Sequence, residues 1–152
     1  MDLSICIPTL NARDFLRECL SSIERHQPRI SYEIIVVDNG SKDGTVEMLT
    51  QDHPEIHLIC NESNLGFSRP TNQALHVAQG EFFLILNPDT HLDQDAITPQ
   101  VEFLREHPDV GISIPKVLNG DGSFQRQSRR GEAKPVEVFG YFFKLGRLFP
   151  RN

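Results

Sequence analysis

The sequence predicts an α/β fold, a mostly parallel sheet with helices packed on both faces. Three observations carry this reading. Strand-like and helix-like patterns alternate from the first residues to Pro115. The run Phe82 to Leu86 ("FFLIL") is apolar at every position, as in a strand covered on both faces rather than one half open to water. Polar residues follow four of the strands, at the edge where open parallel sheets bind ligands.

Taken in order, "LSICIP" is the first strand. "ARDFLRECLSSIERH" places Ala12, Phe15, Leu16, Cys19, Leu20 and Ile23 on one helical face. "YEIIVVD" is the second strand, and "GTVEMLTQ" a short helix opened by the cap-like "SKD". "IHLIC" reads as a third strand. "PTNQALHVAQ" reads as a helix with Pro70 in its first turn and Gly80 as its stop. The "FFLIL" strand, a helix through "ITPQVEFLREH" and a fifth strand "VGISIP" complete the alternation. Asn87-Pro88 ends the fourth strand, because Pro88 has no N–H to donate and restricts the residue before it.

The 152 residues suit a domain with a substantial core. No apolar run approaches the length of a membrane-spanning helix, and "MDLSICIPTL" lacks the basic region of a signal peptide, so a cytoplasmic location is expected. Cys6 and Cys60 fall in strands and Cys19 on a helix, without metal-ligand spacing; reduced core thiols are expected. Charge is uneven. Residues 1 to 123 carry 8 Lys/Arg and 19 Asp/Glu, a net −11, whereas residues 124 to 152 carry 7 and 2, a net +5. The acidic body argues against nucleic acid as a partner.

The chain therefore divides into an α/β part, 1–123, and a basic aromatic segment, 124–152. "NGDG" at 119 to 122 signals a hairpin between "KVL" and "SFQRQ". The aromatic run Phe139, Tyr141, Phe142, Phe143 and Phe149 completes no strand-helix unit and is too apolar for a free tail. It is expected to be covered, by a peripheral membrane surface, by a second copy in a homodimer, or by a missing remainder of the domain.

The polar strand ends are "PTLN" (8 to 11), "DNGSKDGT" (38 to 45), "NESNLGF" (61 to 67) and "NPDT" (87 to 90). Each alone is ordinary turn and capping chemistry. Their order and spacing, with "NLGFSRPTNQAL", "GEFFLILNPDT" and "GISIPKVLNGDGSFQ", resemble the N-terminal half of family 2 glycosyltransferases over roughly residues 2 to 130. "NPDT" and "NGDGS" look most like the bacterial rhamnosyltransferase-type branch.

The resemblance implies a GT-A (Rossmann-like) sheet, incomplete at its C-terminal end, that takes a nucleotide diphosphate-sugar donor and a glycan or lipid-linked acceptor. It implies that Pro8, Thr9 and Asn11 line a nucleoside pocket and that Asp38 accepts hydrogen bonds from base or ribose. Asn64, Gly66, Asn72 and Asn87 are carried over as further donor-binding positions. Asp89 matches the last carboxylate of the family's Asp-any-Asp motif and would hold Mg²⁺ or Mn²⁺, hard ions that suit oxygen ligands.

Asn87 replaces the first acidic residue of that motif, which thins protein ligation. Arg69 reads as a solvated first-turn residue or a phosphate contact, and His91 as a surface loop histidine. The acceptor-activating carboxylate of an inverting transferase lies in the family's second half, so no residue here is expected to be the general base. The alternative is a non-catalytic nucleotide-binding or interaction module. A dinucleotide fold or phosphate-loop enzyme is disfavoured, because "PTLNAR" is no glycine fingerprint.

Overall fold

The structure, a computed structural model, describes residues 1–128. The unit Met1–Ser113 runs β1 (Leu3–Thr9), α1 (Arg13–His26), β2 (Tyr32–Asp38), α2 (Thr45–Asp52), β3 (His57–Cys60), α3 (Ser68–Val77), β4 (Phe82–Ile85) and α4 (Thr98–Glu106). The sheet order is β3-β2-β1-β4, and every pairing is parallel. The predicted alternation is thus realised over four strands. Each crossover helix follows from sequence: α1 repeats apolar residues at helical spacing, and α2 is tied at its start by the Asp43 carboxylate, which accepts from the N–H and hydroxyl of Thr45.

Alternation along the strands divides the core in two. Leu3, Ile5 and Ile7 of β1 and Val36 of β2 meet Leu16, Cys19, Leu20 and Ile23 of α1, Met48 and Leu49 of α2 and Val101 of α4. Cys6, Ile35 and Val37 face the other way, against Ala74 of α3. Helices therefore cover both faces, with the larger core under α1. Leu16, Leu20 and Ile23 are fully buried, each contributing about 1.5–3 kcal/mol by removal from water. Gly80 allows β1 to approach: a Cβ there would lie 2.4 Å from the Ser4 backbone N.

Several expectations are corrected. Phe15 is 65% exposed, so the buried stripe of α1 begins at Leu16; helical spacing places Phe15 beside Leu16 and Cys19 but past the edge of what the sheet covers. The fourth strand is not buried on both faces. It lies at the edge of the described sheet, and Ile85 is 47% exposed. The segment "VGISIP" forms no strand: Ile112 and Ile114 stand 82% and 65% exposed. β-branched residues express strand propensity only against a neighbouring strand. Helix α3 ends at Val77, ahead of Gly80, whose role is the close packing just described. Cys6 and Cys19 are buried free thiols as expected, but Cys60, the last residue of edge strand β3, is exposed.

In the unit from Ile114, the predicted hairpin forms. Leu118 bridges Phe124 in antiparallel fashion, the Gly122 N–H donates to the Asn119 carbonyl, and Gly122 has φ 80°. A 3₁₀ turn covers Arg126–Ser128. The aromatic run of residues 139–149 lies outside the described residues.

Candidate functional site

The carboxyl ends of β1 and β2 finish in register, with Thr9 opposite Asp38. The Asn39 N–H donates to the Thr9 carbonyl at 2.9 Å, and the Asn61 N–H to the Asp38 carbonyl at 2.8 Å, so the ladder continues into the loops. Asp38 is only 1% exposed. Its Oδ2 accepts from the backbone N–H of Gly40 and Ser41, at 3.0 and 2.9 Å. Gly40 takes φ 87°, and a Cβ there would lie 3.0 Å from the Ser63 Cα, so the turn needs glycine for conformation and for space.

Loops after β1 and β2 brace each other. Asn11, at φ 49°, accepts from the Lys42 N–H through its side-chain oxygen, and its own N–H donates to the Ser41 hydroxyl, both at 2.8 Å. The Asp43 carboxylate accepts from the Arg13 N–H at 3.0 Å. Burial pushes the Asp43 carboxyl up, but hydrogen bonds from Thr45 and the Arg13 backbone outweigh this and hold it below its ordinary value.

Beside this braced edge lies a groove of about 260 Å³, lined by Pro8, Thr9, Leu10, Asn39, Asn64, Gly66 and Phe67. Its floor is buried and its far wall, Asn64 to Phe67, is mostly exposed. Two buried polar atoms at the strand ends, Thr9 Oγ1 and Asp38 Oδ1, have no hydrogen-bond partner among the described residues. Buried polar atoms are nearly always paired. One is a hydroxyl that can donate or accept, the other a carboxylate oxygen that can only accept.

At the end of β4 the Asp89 side chain is exposed, as is Asn87. The Asn87 carbonyl accepts from the Thr90 N–H at 3.1 Å and lies 3.9 Å from the Cys19 thiol that donates to it. Burial first, and the Asp89 charge second, push the Cys19 thiol up to about 12. Among the described residues no hydrogen bond or ion pair engages the Asp89 carboxylate. A carboxylate left free among the described residues fits a hard divalent cation that draws its remaining ligands from a diphosphate. His91 and Asp93 lie apart at 3.9 Å, both exposed, in a loose surface pair. A separate cluster, Glu24, His53 and Glu55, has the spacing of metal ligands. It joins the end of α1 to the α2–β3 turn, at the amino-terminal edge of the sheet, where His53 Nδ1 lies 3.3 Å from the Glu24 carboxylate and 3.8 Å from that of Glu55.

The structure thus brings Pro8, Thr9, Asn64 and Gly66 together in one groove, with Asp38 buried alongside. Asn11 lies on the loop edge, occupied with Lys42. Asn72 is exposed on α3 and Arg69 exposed in its first turn. Asn87 and Asp89 belong to the β4 end, on the other side of β1 from β2. Sequence reasoning passed over Asn39, which lines the groove, and Phe67, 57% exposed on its rim. Asn39 had a signal, its place in "DNG", but that tripeptide is equally good turn chemistry.

Residues 4–151 match the family described as Glycosyl transferase family 2. The chain is 32% identical over 128 residues to the poly(ribitol-phosphate) beta-glucosyltransferase of Bacillus spizizenii, covering 80% of this chain but only 20% of that protein. The crystal structure of S. aureus TarS 1-349 in complex with UDP-GlcNAc is similar with a TM-score of 0.61 and 29% identity, over 71% of this chain and 32% of that one. The mannosyltransferase PcManGT from Pyrobaculum calidifontis, in complex with GDP-Man and Mn²⁺, gives a TM-score of 0.61 at 28% identity, over 67% of this chain and 32% of that one. The fold is that of GT-A glycosyltransferases, and the chain belongs to glycosyl transferase family 2.

Proposed function

We propose that this chain binds a nucleotide diphosphate-sugar at the carboxyl edge of its sheet and serves the transfer of the sugar, with inversion, to a hydroxyl of a glycan or lipid-linked acceptor. The observation that carries the reading is the pair of buried, unpartnered oxygens, Thr9 Oγ1 and Asp38 Oδ1, beside an open groove. Pro8 and Thr9 form the nucleoside slot, with Asp38 as an acceptor for base or ribose N–H and O–H groups. Asn11 holds the slot's outer loop, Asn64 and Gly66 form its opposite wall, and Asn72 and Asn87 stand toward the sugar. Asp89 would hold Mg²⁺ or Mn²⁺ at the diphosphate end, and such an ion would supply Lewis-acid charge neutralisation there.

In the transfer, the acceptor oxygen forms a bond to the anomeric carbon as the carbon–oxygen bond to the diphosphate breaks, and a base takes the hydroxyl proton. We assign no general base within residues 1–128. Asp38 serves in this reading as the nucleoside's acceptor, with its Oδ2 taken by backbone N–H groups, and Asp89 would hold the cation. Rhamnose carried on deoxythymidine diphosphate is retained as one donor, beside the glucose, N-acetylglucosamine and mannose carriers suggested by the relatives' names. The chain acts in polysaccharide assembly in the cytoplasm; among the described residues no helix is long and apolar enough to cross a membrane.

Titration of the chain with UDP, GDP and dTDP and their sugar conjugates, with and without Mn²⁺, tests the reading. Selective, metal-enhanced binding is expected. Absence of binding at millimolar concentration refutes it in favour of a non-catalytic interaction module.

A further inference from the structure

We propose that Asn39, backed by Asn61 and Gln73, is a positioning residue that fixes the far wall of the groove and thereby sets which nucleoside it accepts. This rests on the donor-binding reading above. Asn39 is 6% exposed and uses both ends of its amide. Its Nδ2 donates to the Gly66 carbonyl at 2.8 Å and reaches Asn64 Oδ1 at 3.4 Å. Its Oδ1 accepts from Asn61 Nδ2 at 3.2 Å and from the Leu65 N–H at 3.5 Å.

Behind it, Asn61 and Gln73 exchange a reciprocal pair, Asn61 Nδ2 to Gln73 Oε1 at 2.9 Å and Gln73 Nε2 to Asn61 Oδ1 at 2.8 Å. Three amides thus connect the ends of β2 and β3 and helix α3 to one short turn. That turn has little else to hold it. Asn64, Gly66 and Phe67 are exposed, Gly66 has φ 80°, and the turn's own bond is the Gly66 N–H to Asn64 Oδ1 at 2.8 Å. A buried amide network in a core rigidifies the core. Here the network is aimed at an exposed wall, and the wall lines the groove. Donation to a carbonyl also fixes which end of the Asn39 amide faces Gly66. An aspartate at 39 would set an acceptor against that carbonyl while keeping side-chain shape.

The test uses the 152-residue chain and its Asn39→Asp variant, titrated with UDP, GDP and dTDP and with inorganic pyrophosphate as a base-free probe, all in Mn²⁺, alongside thermal melts. The variant is expected to lose about tenfold or more in affinity for the nucleotide the wild type prefers, with selectivity among bases collapsing while pyrophosphate binding is retained. Equal loss on every probe, or no loss, overturns the inference. If Asn39→Asp melts too early to titrate, Gln73→Met, similar in length but unable to hydrogen-bond, takes its place. A base-dependent loss of about threefold is expected from it, and unchanged selectivity overturns the inference. A wild type that binds no nucleotide refutes the donor reading itself, and this inference falls with it; a wild type that binds beside variants that match it refutes the positioning role alone.

Discussion

Replacing Asp38 by asparagine separates a binding role from a structural one. The carboxylate spends one oxygen on two backbone N–H groups and keeps the other buried and unpartnered. Hydrogen bonds to a charged acceptor contribute about 1.5–3 kcal/mol and neutral ones about 0.5–1.5, so two weakened bonds cost about 2–3 kcal/mol. Relief of an unpaired buried charge offsets part of this, and the net stability change is about 1 kcal/mol against a total of about 5–15. Binding responds differently. The amide keeps its oxygen on Gly40 and Ser41, which turns its NH₂ toward the position of Oδ1 and presents a donor where the ligand requires an acceptor. Loss of one charge-assisted hydrogen bond, about 1.5–3 kcal/mol, is roughly a 10- to 100-fold weaker nucleotide affinity. The assay is titration calorimetry with UDP, GDP and dTDP, with and without Mn²⁺, paired with urea denaturation. The expected result is weaker binding in both metal conditions at nearly unchanged stability. Full affinity, or a loss confined to Mn²⁺, refutes the argument; so does destabilisation by more than about 3 kcal/mol, which would make the second oxygen structural.

Asp89→Ala should weaken Mn²⁺-dependent nucleotide binding by at least about tenfold with the fold intact, checked by titration and circular dichroism; equal affinity in both removes Asp89 from the site. Cys60 should react first with a thiol reagent, since it is exposed. Burial holds Cys6 up to about 11 and, with the Asp89 charge, Cys19 up to about 12, so these two should react only on unfolding, as mass spectrometry of labelled protein will read. Asp43 and Asp95 are pushed up by burial but held below their ordinary value of 3.8 by hydrogen bonds, those of Asp95 coming from Thr98, Ile97 and Arg29. Their stabilisation is therefore complete above about pH 4 and lost as pH falls through the lower folded values. The urea midpoint should drop in that window, less steeply in Asp43→Asn, and an identical slope in the variant refutes the assignment.

Much of the fold was legible because it is written in local periodicity. The repeat of Leu16, Cys19, Leu20 and Ile23 can bury only as a helix, and the β-branched run of Ile34 to Val37 only as a strand. The polar strand ends were legible too, since a parallel sheet places all its carboxyl ends on one edge. Periodicity does not report how far cover extends or which strand has a neighbour. Phe15 lies on the predicted apolar face yet past the covering sheet, Ile85 lies on an edge, and "VGISIP" has the composition of a strand without a partner among the described residues. Asn39 makes the same point at the site. Alone it is a turn residue, and only the approach of Asn61, Leu65 and Gly66, which are 22 to 27 positions away, makes it a brace. Sequence determines the elements and the edge where polar groups gather, because those follow from spacing along the chain. Tertiary structure decides which atoms at that edge are already paired and which remain for a ligand, because hydrogen bonds are satisfied in space.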